Sequence, residues 1–315
     1  MSSAAGEGPY GKEVGTGIGA GDGFERGVEK GAWAMSGSTV LREGIVFGES
    51  ARWHAGRAWF ADWGTGEIVA VDPEGIGEVV VRVPFPSLPM CFDRAPDGRL
   101  LIVSSSEARV VTPEADGSFA TYADLSGVGG GFNEIVADGR GNVFVDGAGF
   151  DPTTGQAPRP GFVAVIAENG SVRRVAEGVE FPNGMAVTPD DTTLIVAESY
   201  ANRLTAFDIG ADGGLSRRRV WADLGTGVPD GICLDAEGAV WYADVPNKRC
   251  VRVREGGEVT ATLDLDRGCF SCVLDADGRT LYIVAREWRG MSDPTAGPRT
   301  GQLLAAPVSA ATVTT

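Results

Sequence analysis

The sequence predicts an all-β chain folded as a six-bladed β-propeller, with four-stranded blades and a ring closed by an N-terminal strand that completes the last blade. Three observations predict it. Short apolar runs rich in Val, Ile, Phe, Trp and Tyr alternate with Asp/Pro/Gly turns, and glycine is abundant at 47 residues. The pattern repeats with a period of 40 to 50 residues, which is the length of a propeller blade. The last unit runs out of chain after its third strand, and an unassigned strand stands before the first unit.

Residues 1–37 are rich in Gly, Ser and Ala without apolar periodicity, and read as a flexible tail. The propeller spans 38–310, and 311–315 read as a C-terminal tail. The segment 39–42 matches a fourth strand and is expected to complete blade six. The second unit has strands at 92–93, 100–103 and 109–111 about the turn Pro96-Asp97-Gly98. The third has 135–137, 143–145 and 162–165. The fourth shows the full set, with 184–187, the turn Pro189-Asp190-Asp191, then 194–197, 204–207 and 219–222. The fifth has 232–234, 240–243 and 250–253, and the sixth 272–274, 281–284 and 303–306. Closing the ring protects the sheet edges that an open array would expose.

One residue precedes each innermost strand at an equivalent place. These slots are Glu49, Met90, Asn133, Asn183, Asp230 and Phe270, separated by 41, 43, 50, 47 and 40 residues. In a propeller all six converge on one mouth of the central channel. The loops 63–65, 104–107, 146–160, 199–202, 245–248 and 286–300 surround that mouth, the third and sixth being longest.

Glu49, Asn133, Asn183 and Asp230 bring two carboxylates and two amide oxygens to that mouth. Any one of them alone reads as a turn residue, but four in equivalent places read as a set. Hard oxygen donors with no Cys or His suit one divalent cation: Ca²⁺ first, with Mg²⁺, Mn²⁺ and Zn²⁺ as alternatives. Two negative charges match a dication, and without one the crowded carboxylates repel each other. Four protein ligands leave calcium coordination open to water and substrate.

These segments resemble the regucalcin (senescence marker protein), gluconolactonase and luciferin-regenerating enzyme family. The resemblance rests on Gly48-Glu49-Ser50-Ala51-Arg52-Trp53, Phe132-Asn133-Glu134-Ile135, Phe181-Pro182-Asn183-Gly184-Met185 and Pro229-Asp230-Gly231-Ile232-Cys233. It implies a six-bladed propeller with one axial cation, held by Glu49, Asn183 and Asp230 with Asn133 as a fourth or water-mediated ligand. It also implies hydrolysis of a small-molecule lactone or ester, with Asp230 as general base or nucleophile. A phosphotriesterase-like hydrolase or a non-catalytic metal-binding propeller are the alternatives. Lactonases of this family that take sugars carry an Arg two residues before the first Asn; here that residue is Gly131. The apolar slots Met90 and Phe270 likewise point to a less polar substrate. Asn133, Met90, Phe270, Asp146, Glu198 and Tyr200 are the expected substrate-binding residues.

The remaining features narrow the function. A net charge of −16 repels nucleic acid and anionic membrane. No apolar stretch is long enough for a membrane-spanning helix, no secretory signal pattern opens the chain, and five cysteines make no disulfide framework, so a cytoplasmic location is expected. The sole histidine, His54, lies at a turn away from the mouth, which removes a Ser-His-Asp triad. Cys269-Phe270-Ser271-Cys272 lacks a second pair and reads as packing cysteines. Gly129-Gly130-Gly131 is followed by no helix and no phosphate-binding Lys.

Overall fold

The computed structural model describes residues 34–35, 37–84, 88–151, 154, 156–290 and 295–309. The expected tails therefore lie almost wholly outside the described residues. Two short strands lead in, β1 (Ala34–Met35) and β2 (Thr39–Ile45). Blade one is β3 (Gly48–His54), β4 (Arg57–Asp62), β5 (Glu67–Val71) and β6 (Gly77–Arg82). Blade two is β7 (Phe92–Arg94), β8 (Leu100–Ser104), β9 (Arg109–Pro113) and β10 (Phe119–Asp124). Blade three is β11 (Phe132–Ala137), β12 (Val143–Gly147), β13 (Gly161–Ile166) and β14 (Val172–Val179). Blade four is β15 (Pro182–Val187), β16 (Thr193–Glu198), β17 (Arg203–Ile209) and β18 (Leu215–Asp223). Blade five is β19 (Pro229–Leu234), β20 (Val240–Asp244), β21 (Arg249–Val253) and β22 (Val259–Asp264). Blade six is β23 (Gly268–Leu274), β24 (Thr280–Arg286) and β25 (Gly301–Ser309), and β2 supplies its outer strand by antiparallel pairing with β25. This is the six-bladed propeller with N-terminal closure that the repeat predicts. β1 adds two pairs to the far end of the same strand, Ala34 to Ser309 and Met35 to Val308, within the stretch expected to be tail.

The core lies between blades rather than in one centre. Each of six apolar clusters straddles two neighbouring blades. The seam between blades six and one joins Ile45 of β2 and Tyr282 of β24 to Phe60 of β4, so the terminal strand is stitched into the ring by packing as well as by hydrogen bonds. Buried apolar surface of this kind is the main favourable term in folding. The four cysteines Cys233, Cys250, Cys269 and Cys272 gather in the seam between blades five and six, three of them fully buried, and pack there as free thiols.

Near the axis the inner strands approach closely. A Cβ on Gly184 would lie 2.4 Å from the Asp230 carbonyl oxygen, and one on Gly231 would lie 2.7 Å from Ser271 Cα. Only glycine admits that approach. Among the described residues no helix is long and apolar enough to cross a membrane.

Candidate active site

The slot residues owe their direction to a repeated irregularity. In blades one, three, four, five and six the pairing of the inner strand shifts register at the slot, between Glu49 and Arg52, Phe132 and Ile135, Pro182 and Met185, Pro229 and Ile232, and Cys269 and Ser271. A bulge bends its strand and re-aims the side chain beside it. Carboxylates on the second strands hold the chain leading into these bulges. Asp62 accepts the Val46 and Phe47 N–H groups, both at 3.0 Å, Glu198 accepts that of Glu180 at 2.7 Å, and Asp244 that of Val228 at 3.3 Å.

Glu49, Asn133, Asn183 and Asp230 all line one cavity of about 720 Å³. The Asn133 amide donates to Asn183 Oδ1 at 3.2 Å, Asn183 reaches Ser199 Oγ at 3.5 Å, and Ser199 donates to the Pro229 carbonyl at 2.7 Å. The two amides are thus fixed between blades three, four and five. Asp230 is buried, and its Oδ1 has no hydrogen-bond partner.

The electrostatics of the pair are unbalanced. Burial and then the Asp230 carboxylate push the Glu49 carboxyl well above its ordinary range. Burial and then the nearby Glu134 carboxylate do the same to Asp230, against the pull of Asn183. Arg52 is spoken for: its guanidinium bonds Glu134 Oε1 at 2.9 Å and the Ile135 carbonyl at 2.8 Å, and lies 3.6 Å from Asp93.

An orphaned buried oxygen, two uncompensated carboxylates and two amides fit a hard dication. A half-turn of either amide exchanges its N and O without changing its shape. Among the described residues no group of three or more His, Cys, Asp and Glu is arranged to hold an ion; the present set draws half its donors from asparagine.

The other expected site residues divide. Phe270 lines the cavity, packed against Phe47 at 5.0 Å and Trp288 at 5.5 Å between ring centres. Met90 does not line it. It is buried between blades one and two with Trp59, Ile68 and Ile102, because β7 begins only at Phe92 and the slot falls into that apolar seam. Leu88 stands at the cavity instead. Asp146 is buried beside the cavity, where its Oδ1 accepts the Glu134 N–H at 2.9 Å and it braces the strand carrying Asn133. Glu198 is buried in a cluster with Arg203, Arg218 and Thr205, because its strand turns it toward the blade's flank. Tyr200 does not line the cavity; it stacks on Phe181 at 4.5 Å and packs 5.9 Å from Phe150, both of which do.

Sequence reasoning missed the Arg52–Glu134–Asp93 network and the ring-lined walls around Phe47, Phe150 and Phe162. Phe47, Gly131 and Phe181 stand two residues before their slots, and that repeated spacing could have placed them at the mouth.

Residues 47–287 match the family model for the SMP-30/Gluconolactonase/LRE-like region. The chain is 25% identical over 263 residues to regucalcin of Xenopus laevis, covering 78% of this chain and 85% of that protein. It is 27% identical over 161 residues to pentonolactonase XacC of Haloferax volcanii, covering 45% of this chain and 53% of that one, about half its length. Its fold is similar to a solved luciferin-regenerating enzyme, with a TM-score of 0.72, 17% identity and coverage of 86% of this chain and 95% of the other. The chain belongs to the SMP-30/gluconolactonase/LRE-like family.

Proposed function

We propose that this protein is a divalent-metal-dependent hydrolase that opens lactone rings. The observation that carries the reading is the buried Asp230 Oδ1, left without a partner in a cavity it shares with Glu49, Asn133 and Asn183. Those four residues would hold the cation, calcium suiting their hard oxygens best. When bound there, a dication polarises a ring carbonyl and offsets the negative charge that gathers on its oxygen. Asp230 serves as general base and takes the proton of the attacking water on its free oxygen. Asn133 holds Asn183, which lines the cavity beside Asp230. The aromatic side chains around the mouth limit the water that reaches the ring. The membership of the family and the similarity to a pentonolactonase support a lactone as substrate.

The test is hydrolysis of a lactone panel by protein stripped with chelator and then reloaded with Ca²⁺, Mg²⁺, Mn²⁺ or Zn²⁺. Turnover should vanish on stripping and return most fully with calcium. Full activity in the metal-free protein would overturn the proposal. Bound calcium should also stabilise the fold, by about 2.7 kcal/mol at a hundredfold excess over its Kd.

A further inference from the structure

We infer that the cavity selects lactones bearing an extended apolar substituent, an alkyl chain or an aryl group, over lactones bearing ring hydroxyls. The inference names the substrate class of the proposed hydrolase and rests on that reading.

The repeat itself supplies the first argument. The chain leading into each slot approaches the mouth, so the residues two before the slots can be compared across the six blades. Those residues are Phe47, Leu88, Gly131, Phe181, Val228 and Gly268. None carries a hydrogen-bonding side chain, and the first four line the cavity. A ring hydroxyl brought against these four finds no partner among them; of the hydrogen-bonding side chains outside the donor set, Ser105, Ser106 and Gln156 stand on blades two and three.

The second argument is the placement of the aromatic rings. In a ring of six blades, the seam between six and one lies opposite the seam between three and four. Both seams are walled by aromatics. At the first, Phe47 packs on Trp63 at 4.8 Å and Phe270 on Trp288 at 5.5 Å. At the second, Phe150 lies 5.5 Å from Phe181 and 5.9 Å from Tyr200, and Phe181 stacks on Tyr200 at 4.5 Å. The donor set stands between the two walls. Apart from Glu49 and Asp230, the charged residues at the cavity, Asp151, Arg159, Arg174 and Glu177, belong to blade three. The wall of blades six and one is built of Phe47, Trp63, Phe270 and Trp288, with the buried Arg286 guanidinium 4.8 Å from the Phe47 ring centre, and its rings are the surface an apolar substituent would lie along.

Size is the third argument. At the roughly 30 Å³ that liquid water allots to each heavy atom, an unsubstituted five-membered lactone fills on the order of 180 Å³. The cavity is about 720 Å³, so most of it is left for a substituent.

The experiment measures kcat/KM for γ-butyrolactone, γ-hexalactone, γ-octalactone, γ-decalactone and the polyhydroxylated δ-gluconolactone with calcium-loaded protein. The expected result is a rise of about two- to fourfold per added methylene, with δ-gluconolactone at least a hundredfold below γ-decalactone. Trp288→Ala should lower the γ-decalactone to γ-butyrolactone ratio about tenfold. A flat chain-length series, or δ-gluconolactone as the better substrate, overturns the inference while leaving the lactonase reading intact. A second measurement separates the two. Binding of 2-alkyltetrahydrofurans, which share the ring but lack the carbonyl, is followed by tryptophan fluorescence. Tightening with chain length in a protein that opens no lactone sinks the hydrolase proposal and upholds the apolar selectivity; no tightening sinks the selectivity. The wild-type series decides the matter even if Trp288→Ala fails to fold.

Discussion

Two sets of carboxylates share the centre of this propeller, and they are treated oppositely. Glu134 and Asp93 face Arg52, which bridges blades one, two and three. Asp93 further accepts the Ala137 N–H at 2.8 Å, and Glu134 accepts that of Ile135 at 2.8 Å. Glu49 and Asp230 are buried as well, yet they face each other and two neutral amides, and one oxygen has no partner. Burying a carboxylate unpaired is costly, so such a pair persists only where something else is gained. The same side-chain chemistry thus binds blades together at Glu134 and Asp93, where Arg52 sits between them, and is left open to the cavity at Glu49 and Asp230. The adjacent residues Asn133 and Glu134 fall on opposite sides of that line.

The largest effect should come from the unpaired set. Asp230→Asn keeps the shape and removes the proposed base and one negative charge from the proposed metal site. Lactone hydrolysis should fall by about 10²- to 10⁴-fold, while the metal-free protein melts no lower than the wild type because a buried charge has gone. Retained activity would make Asp230 a structural residue like Glu134. The paired set should behave in reverse. Arg52→Met strands the buried Glu134 and the half-buried Asp93 and should cost about 3–5 kcal/mol of unfolding free energy by denaturant titration. A variant as stable as the wild type would erase the distinction between the two sets.

A smaller effect sharpens the same contrast outside the channel. Burial pushes the Glu198 carboxyl up, but Arg203, the Glu180 N–H and Thr205 pull it further down, so it titrates below the ordinary glutamate range. A carboxyl lowered on folding stabilises above its unfolded pKa of about 4.3, and that stability is lost as pH falls through the folded value. Glu198→Gln should therefore cost about 2 kcal/mol at pH 7, and the gap to wild type should close below about pH 4. A gap that does not change with pH would mean that the charge contributes nothing.

The fold was legible because it is written six times. One weak strand decides little, but turns at equal spacing, and a surplus strand before Glu49 to match a missing one after Leu304, leave only a closed ring. The donor set was legible for the same reason, since Glu49, Asn133, Asn183 and Asp230 occupy one register position. What the repeat could not carry was the third dimension between blades. Arg52 and Glu134 are 82 residues apart in the chain and meet only because blades one and three share the channel. Glu198 sits at the end of a second strand like Asp146, yet the two face different surroundings, and no local signal in the sequence separates them.

The smallest expected effect tests that boundary at the two apolar slots. By register Met90 and Phe270 are equivalents, but Met90 is fully buried in the seam between blades one and two, whereas Phe270 meets the cavity. Met90→Leu is a near volume-conserving change in a packed seam and should cost under about 1.5 kcal/mol. Its backbone carbonyl would still accept the Trp63 indole N–H at 2.6 Å, so the wall that Trp63 belongs to should keep its place and lactone kinetics should change less than twofold. Phe270→Leu removes a ring that touches both Phe47 and Trp288, and should raise KM for alkyl lactones severalfold at a comparable cost in stability. If the two variants gave the same kinetics, sequence register rather than the packing of each seam would govern what a slot residue does.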